Sequence, residues 1–244
     1  GFASNVDEGV IADLELTTNH FPIRWFENRL ALARVEIETL LADFKLSEAL
    51  KTTYSLIWDD FCSWYLEWVK PGFEEKIDSG VYQRTIEFFT ELMQLLHPFM
   101  PFITEEIYHL LKDRNDDLCV KQFKEVQTPD LELLRQGALL KEVITGLRDA
   151  RNKSKLKPKD PVKLYVQSEN NEVYASLQHI LTKQVNASSI AFTDETLGNT
   201  ISVVIGKDKF FIQTSQAVDT ESQKLELEKE LNYLRGFLQS VDKK

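Results

Sequence analysis

Cysteine is scarce: the 244 residues hold two, Cys62 and Cys119, in separate elements and at no metal-ligand spacing, so neither a disulfide framework nor a zinc site is implied. That fits a reducing, cytoplasmic setting. No apolar run approaches the ~18 residues of a membrane helix, and Gly1 to Glu15 is acidic rather than basic and then apolar, so no membrane span, membrane partner or signal peptide is expected. The nine glycines form no phosphate-cradling loop. Four histidines, His20, His97, His109 and His179, stand singly in four separate elements and read as structural. No metal site and no catalytic site is expected. Positive charge is also short overall. A net charge of −10 and a pI near 5.0 argue against a surface that binds nucleic acid everywhere, while a local basic patch stays open.

What the chain has is ample apolar material, 43% hydrophobic and 11% aromatic, enough for one or two cores. Residues 1–19 are small, acidic and polar without periodicity and read as a lead-in. Trp25, Phe26, Leu30, Ala33, Ile37, Leu40 and Leu41 recur at helical spacing from Pro22 to about Asp43. A second, unusually aromatic helix is expected from Ser47 through Leu50, Tyr54, Trp58, Phe61, Tyr65 and Trp68 until Pro71-Gly72. A third runs from Val81 to His97 and a fourth from Pro101 to Leu111. Short loops between four helices imply an antiparallel bundle over 20–117.

The grammar then changes. Over 118–216 the pattern gives a possible short strand at Leu118 to Phe123, a Thr128-Pro129-Asp130 cap and a helix from Leu131 to about Lys153. Strands follow at Val162 to Val166 and Ser189 to Phe192, with a short helix at Val173 to Leu181 between them. A hairpin spans Ile201 to Gln213 through Gly206-Lys207-Asp208, completing a small α/β unit. Over 217–244, Leu227, Leu231, Leu234, Leu238 and Val241 make a heptad seam still running at Lys244, half of a coiled-coil arm or a dimerisation helix. The first residue is Gly rather than Met, so the chain is expected to be a piece of a longer protein.

The corner Leu96-His97-Pro98-Phe99-Met100-Pro101-Phe102-Ile103-Thr104-Glu105-Glu106 organises the bundle. Pro98 stops one helix and Pro101 pre-sets the next, while Glu105 and Glu106 fall in a first turn, where the helix dipole favours anions. Phe99, Met100, Phe102 and Ile103 are expected to lock both helices onto neighbours.

Two sets of cations stand out. Between Lys141 and Lys163 eight basic residues face three acidic ones, a local balance of +5 inside a chain of −10. The alternating Lys153-Ser154-Lys155-Leu156-Lys157-Pro158-Lys159 suits a loop that tracks phosphates, or equally a solvated loop complementing a helix C-terminus. At the start of the first helix, Arg24 and Arg29 flank Trp25, which could stack on an unpaired base but also fits the core stripe.

Arg24-Trp25 with Arg29-Leu30, Leu46-Ser47-Glu48-Ala49-Leu50, Trp58-Asp59-Asp60-Phe61-Cys62-Ser63-Trp64-Tyr65-Leu66-Glu67 with Lys70-Pro71, and the Leu96 to Glu106 corner occur in an order and spacing that resembles the anticodon-binding helical bundle of class I valyl-tRNA synthetases. Leucyl and isoleucyl enzymes share that bundle, but the Trp-Tyr-Leu-Glu wording is closest to the valyl family. Arg148-Asp149-Ala150-Arg151, the Lys-rich loop, the α/β unit and the terminal heptad helix are similar to that family's C-terminal region. The resemblance implies a mainly α fold: a helical bundle, a small α/β unit and a C-terminal coiled-coil helix. It implies a partner, tRNA(Val), and a parent ligase, monomeric, using ATP with Mg. The His-Ile-Gly-His and Lys-Met-Ser-Lys-Ser adenylation motifs are absent, so this stretch is expected to need no cofactor and not to activate valine. The family's bundle also begins with a helix just before Gly1.

From the family pattern, base contacts are expected at Arg24, Trp25 and Arg29. Location alone adds Arg84, Ile86 and Glu87 on the third helix. Arg148, Arg151, Lys153, Lys155, Lys157 and Lys159 are expected to hold the tRNA backbone. The competing class is a helical interaction module docking a protein, or a second copy, through the heptad helix.

Overall fold

The computed structural model describes residues 6–7, 20–72, 75–113 and 115–214, with positions 228, 231, 232 and 235 beyond them. The chain is mostly helical with a small mixed sheet. It divides into two compact units, Gly1–Ala138 and Leu139–Lys244.

The first unit begins, within the lead-in, with β1 (Val6–Asp7), which pairs in parallel with β2 (Ile77–Asp78). Helix α1 (His20–Ala42) buries Trp25, Phe26, Leu30, Ala33 and Ile37, the face its periodicity marks. It ends in a Schellman arrangement: Lys45 N–H donates to Leu40 O at 2.8 Å and Phe44 N–H to Leu41 O at 3.1 Å. Phe44 (φ 58) thus occupies the left-handed position that glycine usually fills.

The aromatic second helix departs from its expected form. After α2 (Leu46–Ser55) the chain is wound as a π-helix over Leu56–Tyr65 before a last α-helical turn, α3 (Leu66–Val69). Its i→i+5 bonding re-phases the faces. Leu56, Phe61, Tyr65 and Val69, four to five residues apart, turn inward, whereas Leu50, Tyr54 and Trp58 are exposed. Tyr54 and Trp58 lie ring on ring in solvent, with centroids 6.4 Å apart.

Helix α4 (Ser79–Leu96) is capped by Asp78, whose Oδ1 accepts from Val81 N–H at 3.0 Å. Helix α5 (Pro101–Leu111) follows with Pro101 in its first turn. The corner between them is a lock, but a polar one. Phe102 is 90% exposed and Met100 and Ile103 face water too, so the apolar clamp expected there does not form. His97 Nδ1 instead meets Thr104 Oγ1 at 2.9 Å, and that hydroxyl donates to Met100 O at 2.9 Å. Glu105 lies beyond the first turn of α5. Its oxygens accept from Leu118 N–H (2.6 Å) and Cys119 N–H (3.2 Å), so the carboxylate caps a turn thirteen residues on rather than its own helix. A carboxylate accepting two peptide N–H groups makes the stronger, charge-assisted bond.

Leu118–Val120 is therefore a 3₁₀ turn, not the expected strand. The carbonyls beyond it are taken by side chains: Gln94 Nε2 donates to Lys121 O and Arg34 Nη2 to Lys124 O, each at 2.6 Å. No strand partner remains to be sought for them. Asp130 then caps α6 (Leu131–Lys153), accepting from Glu132 and Leu133 N–H at 3.0 and 3.1 Å.

In the second unit, β3 (Val162–Gln167), α7 (Asn171–Gln184) and β4 (Ala187–Phe192) form a parallel β-α-β unit. The hairpin β5 (Ile201–Ile205) and β6 (Asp208–Gln213) adds its second strand antiparallel to β3, giving the order β4-β3-β6-β5. Val162, Leu164 and Val166 alternate inward and Phe210, Phe211 and Ile212 close the core. Gly206 (φ 60) makes the hairpin turn. The heptad reading lies outside the described residues, apart from 228, 231, 232 and 235, which are helical. No described helix is long and apolar enough to cross a membrane.

Trp25 is 1% exposed, its ring 4.7 Å from Trp68. A Cβ on Gly137 would stand 2.1 Å from Trp25 Nε1. Trp25→Ala is expected to cost about 3–5 kcal/mol by denaturant unfolding. Gly137→Ala is expected to destabilise by about 1–3 kcal/mol, overpacking outweighing the gain of about 1 kcal/mol in helix propensity.

Candidate nucleic-acid interface

The sequence-marked cations of the first unit fall on α1 and α4, and each is held by a different acidic partner. Arg84 on α4 donates through Nη1 to Glu87 Oε2 at 2.6 Å and through Nη2 to Glu27 of α1, with its guanidinium 4.6 Å above the Phe88 ring. Burial works against its charge, but the bond to Glu87 and the charges of Glu27, Glu87 and Glu91 outweigh it and raise its pKa. Glu27 belongs to this cluster and was not marked in the sequence. It sits at i+3 from Arg24, but the adjacency of α1 and α4 that gives it a partner is not readable from spacing within one helix.

The other members are placed differently. Arg24 is half-exposed and 3.7 Å from Asp130, while its carbonyl accepts from Asn28 Nδ2. Arg29 donates through Nε and Nη2 to Asp60 Oδ2 at 3.0 and 2.8 Å, an ion pair whose acidic partner is almost buried. Trp25 lies inside the core, so neither face of its ring is open to a base. Ile86 and Glu87 are partly exposed on α4.

In the second unit the six residues expected along an RNA backbone separate into two kinds. Lys153, Lys155, Lys157 and Lys159 are all exposed. Arg151 is 4% exposed and turned inward. Its Nη1 donates to Val185 O at 2.9 Å and its Nη2 to Lys157 O and Asp160 O at 2.8 Å, with Pro158 O at 3.3 Å. At 4% exposure and on these carbonyls, Arg151 stands as an internal brace and not as an outward-facing cation. Burial lowers its pKa, the Asp160 carboxylate opposing. Arg148 donates from Nε and Nη2 to Gln184 O at 3.2 Å and from Nη2 to Gln184 Oε1 at 2.7 Å, yet stays exposed. Arg148 and Arg151 thus meet the carbonyls at the C-terminus of α7, where cations suit the helix dipole.

Glu105, His109 and Asp117 each bring one donor atom within 4.8 Å of the others. Glu105 already caps the 118–119 turn and His109 Nε2 lies 3.1 Å from Asp117 Oδ1, which accounts for the cluster as a fastening.

Together these features define a class: a helical domain with a polar Arg–Glu cluster across two helices, joined in sequence to an α/β unit carrying an exposed lysine array. A family model described as the anticodon-binding domain of tRNA ligase matches residues 23–166, and the chain belongs to that family. It is similar to the valine-tRNA ligase of Parabacteroides distasonis, 35% identical over 224 residues, which cover 91% of this chain and 25% of that protein. The valine-tRNA ligase of Phocaeicola vulgatus is 37% identical over 90% of this chain and 25% of its own length. That of Clostridium acetobutylicum is 29% identical over 91% and 26%. The chain therefore spans about a quarter of the length of the curated relatives it matches.

Arg151→Ala is expected to lower the stability of the second unit by roughly 1–3 kcal/mol, since buried carbonyls lose their donor. Single Lys→Ala changes at 153, 155, 157 and 159 are expected to stay within about 0.5 kcal/mol. Thermal unfolding of the five variants checks both.

Proposed function

We propose that this chain is the tRNA-binding part of a valine-tRNA ligase, recognising the anticodon of tRNA(Val) and positioning the tRNA for ATP- and Mg-dependent valylation by the catalytic region of a longer protein. The chemistry belongs to that region; this chain supplies affinity and orientation in the cytoplasm. The observation that carries the reading is the family match across 23–166, which includes both the Arg84–Glu27–Glu87 cluster and the exposed lysines.

The division of labour follows from charge. The helices of the first unit act as an antiparallel bundle, a rigid frame for unpaired anticodon bases. The Arg84–Glu27–Glu87 cluster offers donors and acceptors together at a net charge of −1. Such a cluster suits hydrogen bonding to base edges better than to phosphates. Arg24 and Ile86 complete that surface, with Arg29 steadied on Asp60. Lys153, Lys155, Lys157 and Lys159 are point charges in water, suited to phosphates whose positions carry no sequence. The heptad segment continues the backbone contact as a coiled-coil arm.

Binding of a tRNA(Val) transcript, measured by fluorescence anisotropy from low to moderate salt, is expected to weaken log-linearly. Replacing Lys155, Lys157 and Lys159 by Ala is expected to reduce the slope by about 2–3, close to one for each phosphate left without its cation. Affinity flat with salt would remove the lysine loop from the interface. A transcript with an altered anticodon is expected to bind wild type more weakly, and Arg84→Ala to narrow that difference at unchanged salt slope.

A further inference from the structure

Lysines on a surface loop ordinarily wave in solvent, and a polyanion that binds them must order both backbone and side chains, which lowers affinity. The loop from Ser154 to Asp160 is held differently. Arg151, at the end of α6, sends its guanidinium into the middle of the loop and donates to the carbonyls of Lys157, Pro158 and Asp160. Its other terminal nitrogen donates to Val185 O, tying the loop to the corner where α7 gives way to β4. Further contacts close the ring. Asp160 Oδ2 accepts from Lys157 N–H at 3.1 Å, Asp160 N–H donates to Lys157 O at 3.0 Å, and Leu156 N–H donates to Arg151 O at 3.0 Å. Lys155 is held in the left-handed region (φ 56) and Leu156 is buried to 7% exposure. Every polar bond the Arg151 guanidinium makes is to backbone carbonyls, and every lysine it organises has its own head in water. The acidic residue and the buried arginine thus shape the loop, while the lysines carry the charge.

We infer that Arg151 is a positioning residue for RNA-backbone binding: it pre-orders the 154–160 loop so that the ammonium groups of Lys155, Lys157 and Lys159 meet phosphates without a folding step. The inference rests on the proposed tRNA-binding function and assigns within it a role that touches no RNA.

A charge-conserving substitution separates positioning from electrostatics. Lysine at 151 keeps the charge, but its ammonium cannot span four carbonyls as a planar fork does. Arg151→Lys in the 244-residue chain is expected to weaken binding of a tRNA(Val) transcript about tenfold, the scale of re-ordering one or two long side chains. Asp160→Ala is expected to weaken binding as well, although it makes the loop more positive and electrostatics alone predicts tighter binding. In a background with Lys155, Lys157 and Lys159 replaced by Ala, neither change is expected to weaken binding further. Should Arg151→Lys fail to fold, as judged by circular dichroism and unfolding midpoint, Asp160→Ala in the two backgrounds decides the matter alone. Wild-type affinity in Arg151→Lys, tighter binding in Asp160→Ala, or full additivity with the lysine replacements overturns the positioning role. Loss of binding in the triple lysine variant alongside those results leaves the proposed function standing; unchanged binding in the triple variant removes the loop from that function.

Discussion

The ring of Phe26, fully excluded from water, stands 5.0 to 5.1 Å from three others, Phe61, Tyr65 and Phe88. These rings come from α1, the π-wound segment and α4, so one side chain sets the spacing of three helical layers. Such aromatic pairs add about 0.5–1.5 kcal/mol each beyond the area they bury. Tyr65 extends the constraint through its hydroxyl, 2.8 Å from Thr85 Oγ1 on α4, and burial pushes its pKa up to about 12. Arg84, one residue before Thr85, is thereby fixed beside Glu27, one residue after Phe26. The polar cluster at the surface is a consequence of the aromatic packing beneath it.

A second consequence concerns the π-wound stretch. The aromatic run Tyr54 to Trp68 carries more large rings than one α-helical face can bury, and i→i+5 bonding from Leu56 to Tyr65 widens the set of positions that turn inward. The rings left over, Tyr54 and Trp58, stack on each other in water. Polar residues then do the work of fastening. Glu105, Gln94 and Arg34 each reach across to hold backbone of the 118–124 segment, which has no sheet of its own.

Sequence patterning carried the helical spans well, because α1, α4, α5 and α6 announce themselves by periodicity and by signals such as Pro101 and the Asp130 cap. Propensity and period are local, and they failed where partners are distant. Glu105 looked like a first-turn anion, but its partners are Leu118 and Cys119. Phe102 and Ile103 looked like core, but lie at a corner with no facing element among the described residues. The same limit applies at the interface. The four exposed lysines were legible from their alternation about Pro158. That Arg151 belongs to a different class from its neighbours was not, since the carbonyls that absorb it come from the loop's return and from the end of α7. Trp25 was open to two readings, and only the approach of Gly137 and Trp68 decides for the core.

The proposed function puts RNA on the polar cluster of α1 and α4 and on the braced lysine loop, with the aromatic core only supporting them. Amide and indole NMR shifts of the chain, titrated with a tRNA(Val) transcript, test it directly. The expected result is shifts at Arg24, Glu27, Arg84, Ile86 and Glu87, at residues 153–160 and in the 217–244 segment, with the Trp25 indole unmoved. A moved Trp25 indole with a silent 153–160 loop would contradict it.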